Sequence, residues 1–598
     1  MTEESASSAI KNWLSLDFDE ATRSEASSFS PQECADRLDP RKRLTFGTAG
    51  LRAKMGAGFD RMNCLTVMQA TQGLCVYLLD TYGEKALREQ GVVIGYDGRH
   101  NSRKFAHVTA AVFISKDTKV YLFDKSTTCT PFTPYLVKRN DCLCGVQVTA
   151  SHNPKEDNGY KVYGRNGAQI APPTDEEISG RIADNLKPWK ESLDLLDLGG
   201  TGLLKSNLCV CEPYDDVFDS YMNRITAELC RFPDKNANCK LRFVYTAMHG
   251  VGLPFTTALV SKFGFPQGTV HVLQSQALPD PEFPTVKFPN PEEKGALDLA
   301  LAEARRSDAD YVIANDPDAD RFTACEKQPD GSWVQFSGDE IGLLFGDWQI
   351  LMAHRKGVPA ENCLTLASTV SSKMLAALTK YYCGRFVDTL TGFKWLANTS
   401  LKMVDEDPDL VHCLAYEEAI GYALTMTVPD KDGVSAAAVW CEMVNFWRTT
   451  KGITMLQRLG QIRETIGYYA TDNGYYICRD PKVMKSIFDD FRADGEYKDS
   501  LGSSKISNVR DVTLGYDSRA ANKKSALPTT PNDQMVTIFF ANRAVVTLRG
   551  SGTEPKLKYY SEMRNLESTE KARRALAVVM KDVEDYFLQP AKHGLERR

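Results

Sequence analysis

Short apolar segments alternate along most of the chain with longer segments whose apolar residues recur at helical spacing. The clearest apolar segments are residues 91–96, 119–123, 144–149, 241–245, 311–314 and 362–366. Strands that are apolar on both faces are typical of sheets covered by helices. The alternation therefore predicts repeated α/β sheet units, preceded by a polar helix over residues 9–29.

The last part of the chain has a different pattern, which is typical of an α+β domain. Strands are predicted at 474–478, 535–539 and 544–548, and a helix is predicted from about Ser568. Two stretches rich in Pro, Gly and polar residues are predicted to be exposed loops, at 279–291 and 520–533. The chain is thus predicted to have four domains, over residues 1–213, 214–335, 336–464 and 465–598.

The amino-acid composition excludes several classes of protein and several kinds of binding partner. The 598 residues are 42% hydrophobic and 25% charged, which excludes a disordered or collagen-like chain. With 72 Lys and Arg against 78 Asp and Glu, the formal charge is −6, so no overall positive charge attracts nucleic acid. No apolar run reaches the ~20 residues of a membrane helix, and the polar N-terminal residues differ from a signal peptide. We expect neither nucleic acid nor a membrane as a partner.

The 16 cysteines are dilute and irregularly spaced. The pairs Cys142/Cys144 and Cys209/Cys211 leave a zinc site as one alternative, because residues two apart on a strand share a face. The spacings typical of zinc sites, Cys-x2-Cys and His-x3-5-His, are missing. Buried, reduced thiols are the favoured interpretation, and they predict a cytoplasmic protein.

The first loop with candidate chemistry, residues 149–154, follows an apolar strand, where α/β sheets present functional loops. Ser151 is a candidate nucleophile. The Gly-x-Ser-x-Gly elbow is absent, so a Ser-His-Asp triad is not indicated. We expect the side chains of Ser151 and His152 to diverge, as adjacent side chains usually do, so the sequence pattern does not assign His152 as the base for Ser151. A simple polar turn remains the alternative.

The second loop, residues 316–321, places Asp316, Asp318 and Asp320 at alternate positions after another apolar strand. Three carboxylates at this spacing can converge on one hard cation, and their oxygen ligands suit Mg²⁺. A calcium EF-hand is excluded, because Arg321 and Lys327 stand where that loop needs Gly and Glu. Arg321 beside the cluster suggests that a phosphate is bound as well.

The remaining loops can bind a phosphate and a sugar. Arg549, Ser551, Gly552 and Thr553 lie in a Gly-rich stretch without the Lys of a Walker loop, and together they can form a phosphate cradle. A Gly-Ser turn with solvated charges is the alternative. Glu417 can accept hydrogen bonds from sugar hydroxyls, although the residue taken alone favours a surface acidic turn.

Taken together, these loops form a specific combination. The stretches 46–56, 149–162, 288–293 and 391–395 resemble motifs of the α-D-phosphohexomutase superfamily, in particular its eukaryotic phosphoglucomutase 2 and phosphopentomutase branch. The resemblance covers about residues 46–560. It implies four domains around a central cleft, three related mixed α/β sheet domains and a C-terminal α+β domain. It departs from the family at Tyr416 and Ala419, where Gly and Ser are common, and at Gly550, where Thr or Pro is usual.

The resemblance also implies roles for individual residues. Ser151 would hold the transferable phosphate and Mg²⁺ would bind Asp316, Asp318 and Asp320 together with that seryl phosphate. Further catalytic residues would be His152, Lys431 and Arg52. The substrate-binding residues would be Arg321, Lys394, Glu417, Arg549, Ser551, Gly552 and Thr553, and Arg99 is a further cleft candidate.

The activity implied is a phosphosugar mutase, an isomerase of carbohydrate metabolism that works through a phosphoserine and a sugar bisphosphate, which also serves as activator. The substrates would be glucose 1-phosphate and glucose 6-phosphate, or the 1- and 5-phosphates of ribose or deoxyribose. A glucose-1,6-bisphosphate synthase is the main alternative, and a non-catalytic sugar-phosphate sensor is disfavoured because Ser151 and the three aspartates are all present. We expect a monomer in the cytoplasm, with one Mg²⁺ per chain and small sugar phosphates as its only partners.

Overall fold

The computed structural model describes residues 2–47, 50–196, 204, 207–531, 533–550 and 555–597. The chain divides into two compact units, Met1–Leu364 with Gly392–Met455, and Thr365–Thr391 with Leu456–Arg598. The predicted fold class is confirmed: three α/β sheet regions precede a C-terminal region rich in antiparallel strands. The four predicted domain ranges stay a prediction.

The first sheet has six strands and carries the serine loop. In sheet order its strands are Leu51–Lys54, Asp157–Tyr163, Cys144–Val148, Val92–Tyr96, Val120–Leu122 and Val210–Cys211. The last four run parallel and the first two antiparallel to their neighbours. The helices of this region are Cys64–Glu89, Ser102–Ile114, Phe132–Asn140, Thr174–Asp184 and Lys190–Leu195. The strands Val92–Tyr96 and Cys144–Val148 are buried at every position, as their unbroken apolar sequence predicts.

The N-terminal segment is helical, but the prediction of one helix over 9–29 is wrong. The structure has two helices there, Glu3–Leu16 and Glu20–Ser27, followed by the helix Pro31–Arg37 and a short 3-10 turn Pro40–Lys42. The break falls at Asp19, whose carboxylate accepts a hydrogen bond from the Ala21 N–H and so starts the second helix. An Asp at this position competes with the helix interior by capping the new N-terminus.

The second sheet carries the aspartate loop. Its strands in sheet order are Trp333–Gln335, Thr323–Lys327, Tyr311–Ala314, Phe243–Thr246 and Val270–Val272. The last three run parallel, and the first two complete an antiparallel edge. The helices of this region are Tyr214–Leu229, Pro233–Asn236, Leu253–Lys262 and Asp298–Arg306, with a 3-10 turn Gln274–Gln276. The carboxyl end of Tyr311–Ala314 leads directly to Asn315 and Asp316.

The third region contains the candidate sugar loop. Its helices are Gly338–Arg355, Met374–Tyr381, Phe393–Glu406, Gly433–Lys451 and Met455–Ile466, with a 3-10 turn Ala360–Asn362. Its strands are Cys363–Ser368, Arg385–Thr389, Val411–Glu417 and Gly421–Ala423. The last two strands form an antiparallel hairpin in which Glu417 pairs with Gly421, so residues 418–420 form the hairpin tip.

The C-terminal region is an antiparallel sheet backed by helices. Its strands in sheet order are Ser500–Leu501, Ser504–Asp511, Gln534–Phe540, Ala544–Gly550, Lys556–Asn565, Tyr468–Ile477 and Glu596–Arg597, and Tyr516–Asp517 pairs with Ser504–Asp511. Its helical elements are Pro481–Arg492, Ala493–Gly495, Thr569–Val583, Glu584–Leu588 and Pro590–His593. The helix predicted from about Ser568 is confirmed, because the Ser568 hydroxyl caps the N-terminus of Thr569–Val583.

The described residues also bear on membrane association and on the cysteines. None of their helices combines the length and the hydropathy needed to cross a membrane. All 16 cysteines are unpaired thiols, and 12 of them are buried. Among the described residues, one group of three or more His, Cys, Asp or Glu side chains is close enough to share a metal ion, and it contains no cysteine.

Candidate active site

Ser151 lies in a tight turn just beyond the buried strand Cys144–Val148. Its backbone adopts the left-handed conformation, with φ of 54°, and its N–H donates to the Thr149 hydroxyl at 2.8 Å. A residue other than glycine is uncommon in this conformation, and it is held here by the surrounding loop. The side chain is 2% exposed. The turn therefore fixes the direction of the Ser151 hydroxyl inside the protein.

Arg99 holds this loop from the neighbouring strand. Its guanidinium donates to the backbone carbonyls of Ser151 at 2.5 Å, Asn153 at 2.6 Å and Pro154 at 2.8 Å. The Asp97 carboxylate lies 3.4 Å from Arg99 Nε and the pair is almost completely buried. The cleft candidate Arg99 thus acts on the backbone of the serine loop and is a positioning residue.

The three aspartates of the second loop meet in one buried cluster. Each is completely buried, and one carboxylate oxygen from each lies within 4.8 Å of the others. Ala319, between Asp318 and Asp320, has φ of 56°, so the loop curls and brings the alternate side chains together. The Ser151 hydroxyl donates to Asp316 Oδ2 at 2.9 Å. The serine loop and the aspartate loop therefore form one site.

This cluster fits a metal ion. Oδ1 of Asp318 and Oδ1 of Asp320 are buried and have no hydrogen-bond donor in the described part of the structure. Buried carboxylate oxygens without a donor are costly unless a cation binds them. Oxygen donors from three carboxylates are the ligand set of a hard divalent cation.

Lys161, which the sequence analysis did not select, supplies positive charge to the same cluster. It lies on the strand Asp157–Tyr163, is 2% exposed, and donates to Asp318 Oδ2 at 2.8 Å and to Asp320 Oδ2 at 2.7 Å. The Thr130 hydroxyl donates to Asp318 Oδ2 at 2.6 Å. The one available signal was a lysine inside an otherwise buried strand, since buried lysines are rare unless paired.

Neighbouring charges give the carboxyl groups of the cluster different pKa values. Burial and the charges of Asp318 and Asp320 raise the pKa of Asp316 well above its usual value. Burial opposes ionisation of Asp320 too, but Lys161 and Lys431 lower its pKa below the usual value. Close carboxylates separate in this way because the one nearest the cations ionises first.

His152 meets Ser151, contrary to the expectation that adjacent side chains diverge. The left-handed turn at Ser151 brings its Oγ to 3.2 Å from His152 Nδ1. The same nitrogen accepts from Arg321 Nη1 at 2.5 Å, which leaves the ring neutral with its proton on Nε2. Burial and the Arg321 charge lower the pKa of His152 well below its usual value. The His152 ring is therefore neutral, and its Nδ1 faces both Ser151 Oγ and the Arg321 guanidinium.

Two predicted cations lie beside the cluster. Arg52 donates from Nη1 to Asn153 Oδ1 at 2.9 Å, and burial and the Arg321 charge lower its pKa. Lys431 lies 3.2 Å from Asp320 Oδ2 and 3.3 Å from Asp430 Oδ1. Both residues are thus within the charged network of Ser151 and the aspartates.

Glu417 ends the first strand of the hairpin and accepts the Gly392 N–H at 2.5 Å. Burial and the neighbouring Glu418 charge raise the pKa of Glu417 to about 7. Tyr416, which stands where the family commonly has Gly, packs its ring against Gly342. The contact is so close that a Cβ on residue 342 would lie 2.6 Å from the ring. Lys394 pairs with Asp175 at 3.4 Å, and no contact to the aspartate cluster is found for it among the described residues.

The candidate phosphate cradle is only partly described. Arg549 lies near the end of the strand Ala544–Gly550 and is half-buried, with Nη2 at 3.5 Å from Asp533 Oδ2. Ser551, Gly552 and Thr553 lie outside the described residues. Their assignment to the cradle stays a prediction.

Comparison with protein families places three successive matches on this chain. They are described as phosphoglucomutase/phosphomannomutase α/β/α domains I, II and III, and they cover residues 43–188, 219–331 and 337–463. Together the three matches cover more than half of the chain, in the order in which the serine, aspartate and sugar loops occur.

Curated relatives match over nearly the full length. The chain is 41% identical to a human phosphopentomutase over 93% of this chain and 91% of the relative. It is 41% identical to a probable phosphoribomutase of Schizosaccharomyces pombe, over 98% of both chains. It is 40% identical to a human glucose 1,6-bisphosphate synthase, over 98% of this chain and 95% of the relative.

Solved structures share the fold at lower identity. The open form of the Paramecium phosphoprotein parafusin, a phosphoglucomutase, matches with a TM-score of 0.68 and 18% identity, over 92% of this chain and 95% of that one. A phosphoglucomutase/phosphomannomutase family protein of Burkholderia thailandensis matches with a TM-score of 0.64 and 17% identity, over 92% and 98%. At these identities the likeness concerns the fold alone.

Proposed function

The chain belongs to the phosphoglucomutase/phosphomannomutase family, and from that premise we propose that it is a phosphosugar mutase acting on pentose phosphates, with hexose phosphates as further substrates. The reaction interconverts the 1-phosphate of the sugar and the phosphate at its terminal hydroxyl. One observation carries the assignment of the site: the Ser151 hydroxyl lies 2.9 Å from Asp316 within the buried aspartate cluster.

The proposed reaction begins with a phosphate on Ser151. A sugar hydroxyl attacks the phosphorus, the bond to Ser151 Oγ breaks, and the serine oxygen takes up a proton, which leaves a sugar bisphosphate and a free serine. The bisphosphate then turns over and returns its other phosphate to Ser151. Traces of sugar bisphosphate activate the enzyme in this scheme because they phosphorylate Ser151.

The residues around Ser151 support this chemistry. Asp316, Asp318 and Asp320 would hold Mg²⁺, and bound Mg²⁺ would neutralise negative charge that develops on the transferring phosphoryl group. Arg52 and Arg321 add positive charge close to the serine loop, where a seryl phosphate would lie. Neutral His152 at 3.2 Å from Ser151 Oγ, or Lys431, would exchange the proton of the attacking or leaving hydroxyl.

Substrate contacts follow the same reasoning. Glu417 would bind sugar hydroxyls, with Ala419 unable to supply the hydroxyl contact that a serine gives, which favours a substrate with fewer specific contacts such as a pentose. Arg549, Ser551, Gly552 and Thr553 would bind the phosphate that is not being transferred. Arg321 and Lys394 complete the proposed set. We further propose a monomeric, cytoplasmic enzyme of four domains, over residues 1–213, 214–335, 336–464 and 465–598.

The test compares turnover of ribose 1-phosphate and glucose 1-phosphate by wild type and Ser151→Ala, with Mg²⁺ and a sugar bisphosphate supplied. We expect higher kcat/KM on ribose 1-phosphate and loss of turnover on both sugars in Ser151→Ala. Ser486→Ala, at an exposed serine of the C-terminal region, serves as the matched control and should retain activity. Near-normal turnover by Ser151→Ala would exclude the phosphoserine mechanism.

The similarity to glucose 1,6-bisphosphate synthase supports a second candidate function on the same site. In that reaction an acyl phosphate phosphorylates Ser151, and the phosphoryl group passes to a sugar monophosphate, which leaves as the bisphosphate. Product analysis distinguishes the two, because only the synthase accumulates bisphosphate in proportion to the acyl phosphate consumed.

A further inference from the structure

A cavity of about 230 Å³ lies away from the Ser151 cluster, where helices meet the base of the hairpin that carries Glu417. Arg231 follows the helix Tyr214–Leu229 and lines one wall, and Lys356, at the C-terminus of the helix Gly338–Arg355, lines the rim. Leu229, Val358 and Leu424 supply apolar surface. The cavity therefore combines two cationic head groups with a mostly apolar floor.

Neither cationic head group is held by a direct side-chain contact among the described residues. Within the described part of the chain no hydrogen bond or ion pair is made by the Arg231 guanidinium or the Lys356 ammonium, and Arg231 Nε is buried without an acceptor. Burial and the Arg231 charge lower the pKa of Lys356. Two cations that face one shared cavity repel each other until an anion lies between them.

Two carboxylates, Glu228 and Glu442, lie close enough to influence these cations, and each also accepts hydrogen bonds from other groups. Glu228, in the cavity wall, accepts hydrogen bonds from the hydroxyls of Thr425 and Thr427 at 2.7 and 2.8 Å and pairs with Arg224 at 2.5 Å. Glu442 accepts from the Arg231 and Phe232 N–H groups and from Asn236. The lining itself thus carries two cationic side chains, Arg231 and Lys356, against one carboxylate, Glu228, which is shared with Arg224.

The same cavity contacts both strands at the base of the hairpin. Residues 411–413, at the start of the strand Val411–Glu417, and residues 424–426, which follow the strand Gly421–Ala423, all line it. Gln349 donates to the Leu424 carbonyl at 2.9 Å and so ties the hairpin to the helix that ends at Lys356. Glu417 lies at the other end of this two-stranded element.

We propose that this cavity is a second anion site, which takes a phosphate dianion either free or as a small phosphomonoester. The phosphate lies between the Arg231 guanidinium and the Lys356 ammonium, and the apolar floor accommodates a short organic stem. Occupancy fixes the base of the hairpin and thereby the position of Glu417. This second part rests on the proposed role of Glu417 in sugar binding, whereas the anion site itself does not.

Binding is tested on the full-length protein by equilibrium dialysis with radiolabelled inorganic phosphate. Wild type is compared with Arg231→Gln/Lys356→Gln and with a control, Arg305→Gln/Lys451→Gln, which removes two exposed cations elsewhere. Phosphate bound at the active site is common to all three proteins. We expect the first variant to bind one equivalent less per chain than wild type and the control. Equal stoichiometry and affinity in all three would overturn the proposal.

Two further arms keep the test decisive. If the double variant is misfolded by circular dichroism, the single variant Lys356→Gln, at an exposed helix end, decides: affinity should fall about tenfold, and unchanged affinity overturns the site. Glycerol 3-phosphate is then offered as competitor; displacement of the extra equivalent identifies a phosphomonoester site, and failure to displace it identifies a site for free phosphate.

The coupling to Glu417 has its own readout. Glycerol 3-phosphate, or inorganic phosphate if the competitor fails, should change the KM for the sugar phosphate in wild type and in the control variant, and the change should be absent in Lys356→Gln. A KM response that is the same in all three proteins would overturn the coupling while leaving the anion site to the binding measurement.

Discussion

Replacing Lys161 with Met removes the buried cation that holds two of the three aspartates. Its ammonium lies 2.8 Å from Asp318 and 2.7 Å from Asp320, and all three side chains are buried. At an effective dielectric constant of about 20, each contact corresponds to about 6 kcal/mol of attraction before desolvation. Removing one partner of a buried ion pair costs about 3–5 kcal/mol in measured cases, because the remaining charge stays buried without compensation.

The expected fall in melting temperature follows from this cost. Unit 1 has about 430 residues, so its unfolding entropy is about 0.9 kcal/mol per degree, and a loss of about 4 kcal/mol lowers Tm by about 4 °C. Mg²⁺ bound to the cluster would supply positive charge to the same two carboxylates, through the oxygens that Lys161 does not contact. We therefore expect Mg²⁺ to raise the Tm of Lys161→Met more than that of wild type and to recover at least half of the loss.

The assay is a thermal melt of both proteins in EDTA and in excess Mg²⁺, followed by circular dichroism. Lys482→Met, at an exposed position of the C-terminal region, is the matched control and should melt like wild type in both buffers. Equal Mg²⁺ increments in wild type and Lys161→Met would refute the reasoning, because the cation and the lysine would then act on different groups.

Three further predictions concern single groups. The pKa of Glu417 is about 7, and its ionised form would accept hydrogen bonds from sugar hydroxyls, so kcat/KM should fall as pH drops through 7. Glu417→Gln should lose this decline of kcat/KM at acid pH. An unchanged decline in the variant would contradict the assignment. Arg549→Ala should raise KM about tenfold to a hundredfold in steady-state assays with little change in kcat, since it removes a charged contact to bound phosphate; an unaltered KM excludes it from the cradle. Burial lowers the pKa of His412 to about 4, so as pH falls from 6.5 to 4 the unfolded chain binds a proton at this residue before the folded chain does, and the free energy of unfolding declines by about 3 kcal/mol. His412→Gln should abolish this loss in urea titrations at pH 7 and pH 4.5. Equal acid sensitivity of the two proteins would show that His412 is not the group responsible.

The position of polar loops directly after apolar strands predicted the two loops that meet at the aspartate cluster. An apolar run followed by polar residues identified the loops after Cys144–Val148 and Tyr311–Ala314, and the structure brings Ser151 and Asp316 from these loops into contact. Spacing succeeded for the aspartates because alternate residues of a curled loop share a side, a property that the sequence carries locally. The fold class followed from the same alternation of strands and helices.

Contacts between distant segments were not predictable from local pattern. Lys161 and Thr130 reach the aspartates from about 160 and 190 residues away. Lys161 lies in the stretch 149–162, but nothing in that stretch indicates a contact with the aspartates. The contact between Ser151 and His152 depends on a left-handed backbone conformation at Ser151, which could not be predicted because the residue is not a glycine. The break in the N-terminal helix depended on whether Asp19 caps or continues a helix, which its neighbours in space decide.

The site contains two local excesses of charge, of opposite sign, that meet near Ser151, although Lys161 offsets part of the negative one. On one side, burial and the charges of Asp318 and Asp320 raise the pKa of Asp316, and on the other, burial and the Arg321 charge lower the pKa of Arg52. A cation relieves the first excess and a phosphate on Ser151 relieves the second, and each ligand also attracts the other across the short distance between them. Cation binding and serine phosphorylation must therefore favour each other by the same free energy. We therefore expect the dephosphorylated protein to bind a divalent cation more weakly than the phosphorylated protein, because only the latter would add a phosphate anion beside the aspartates.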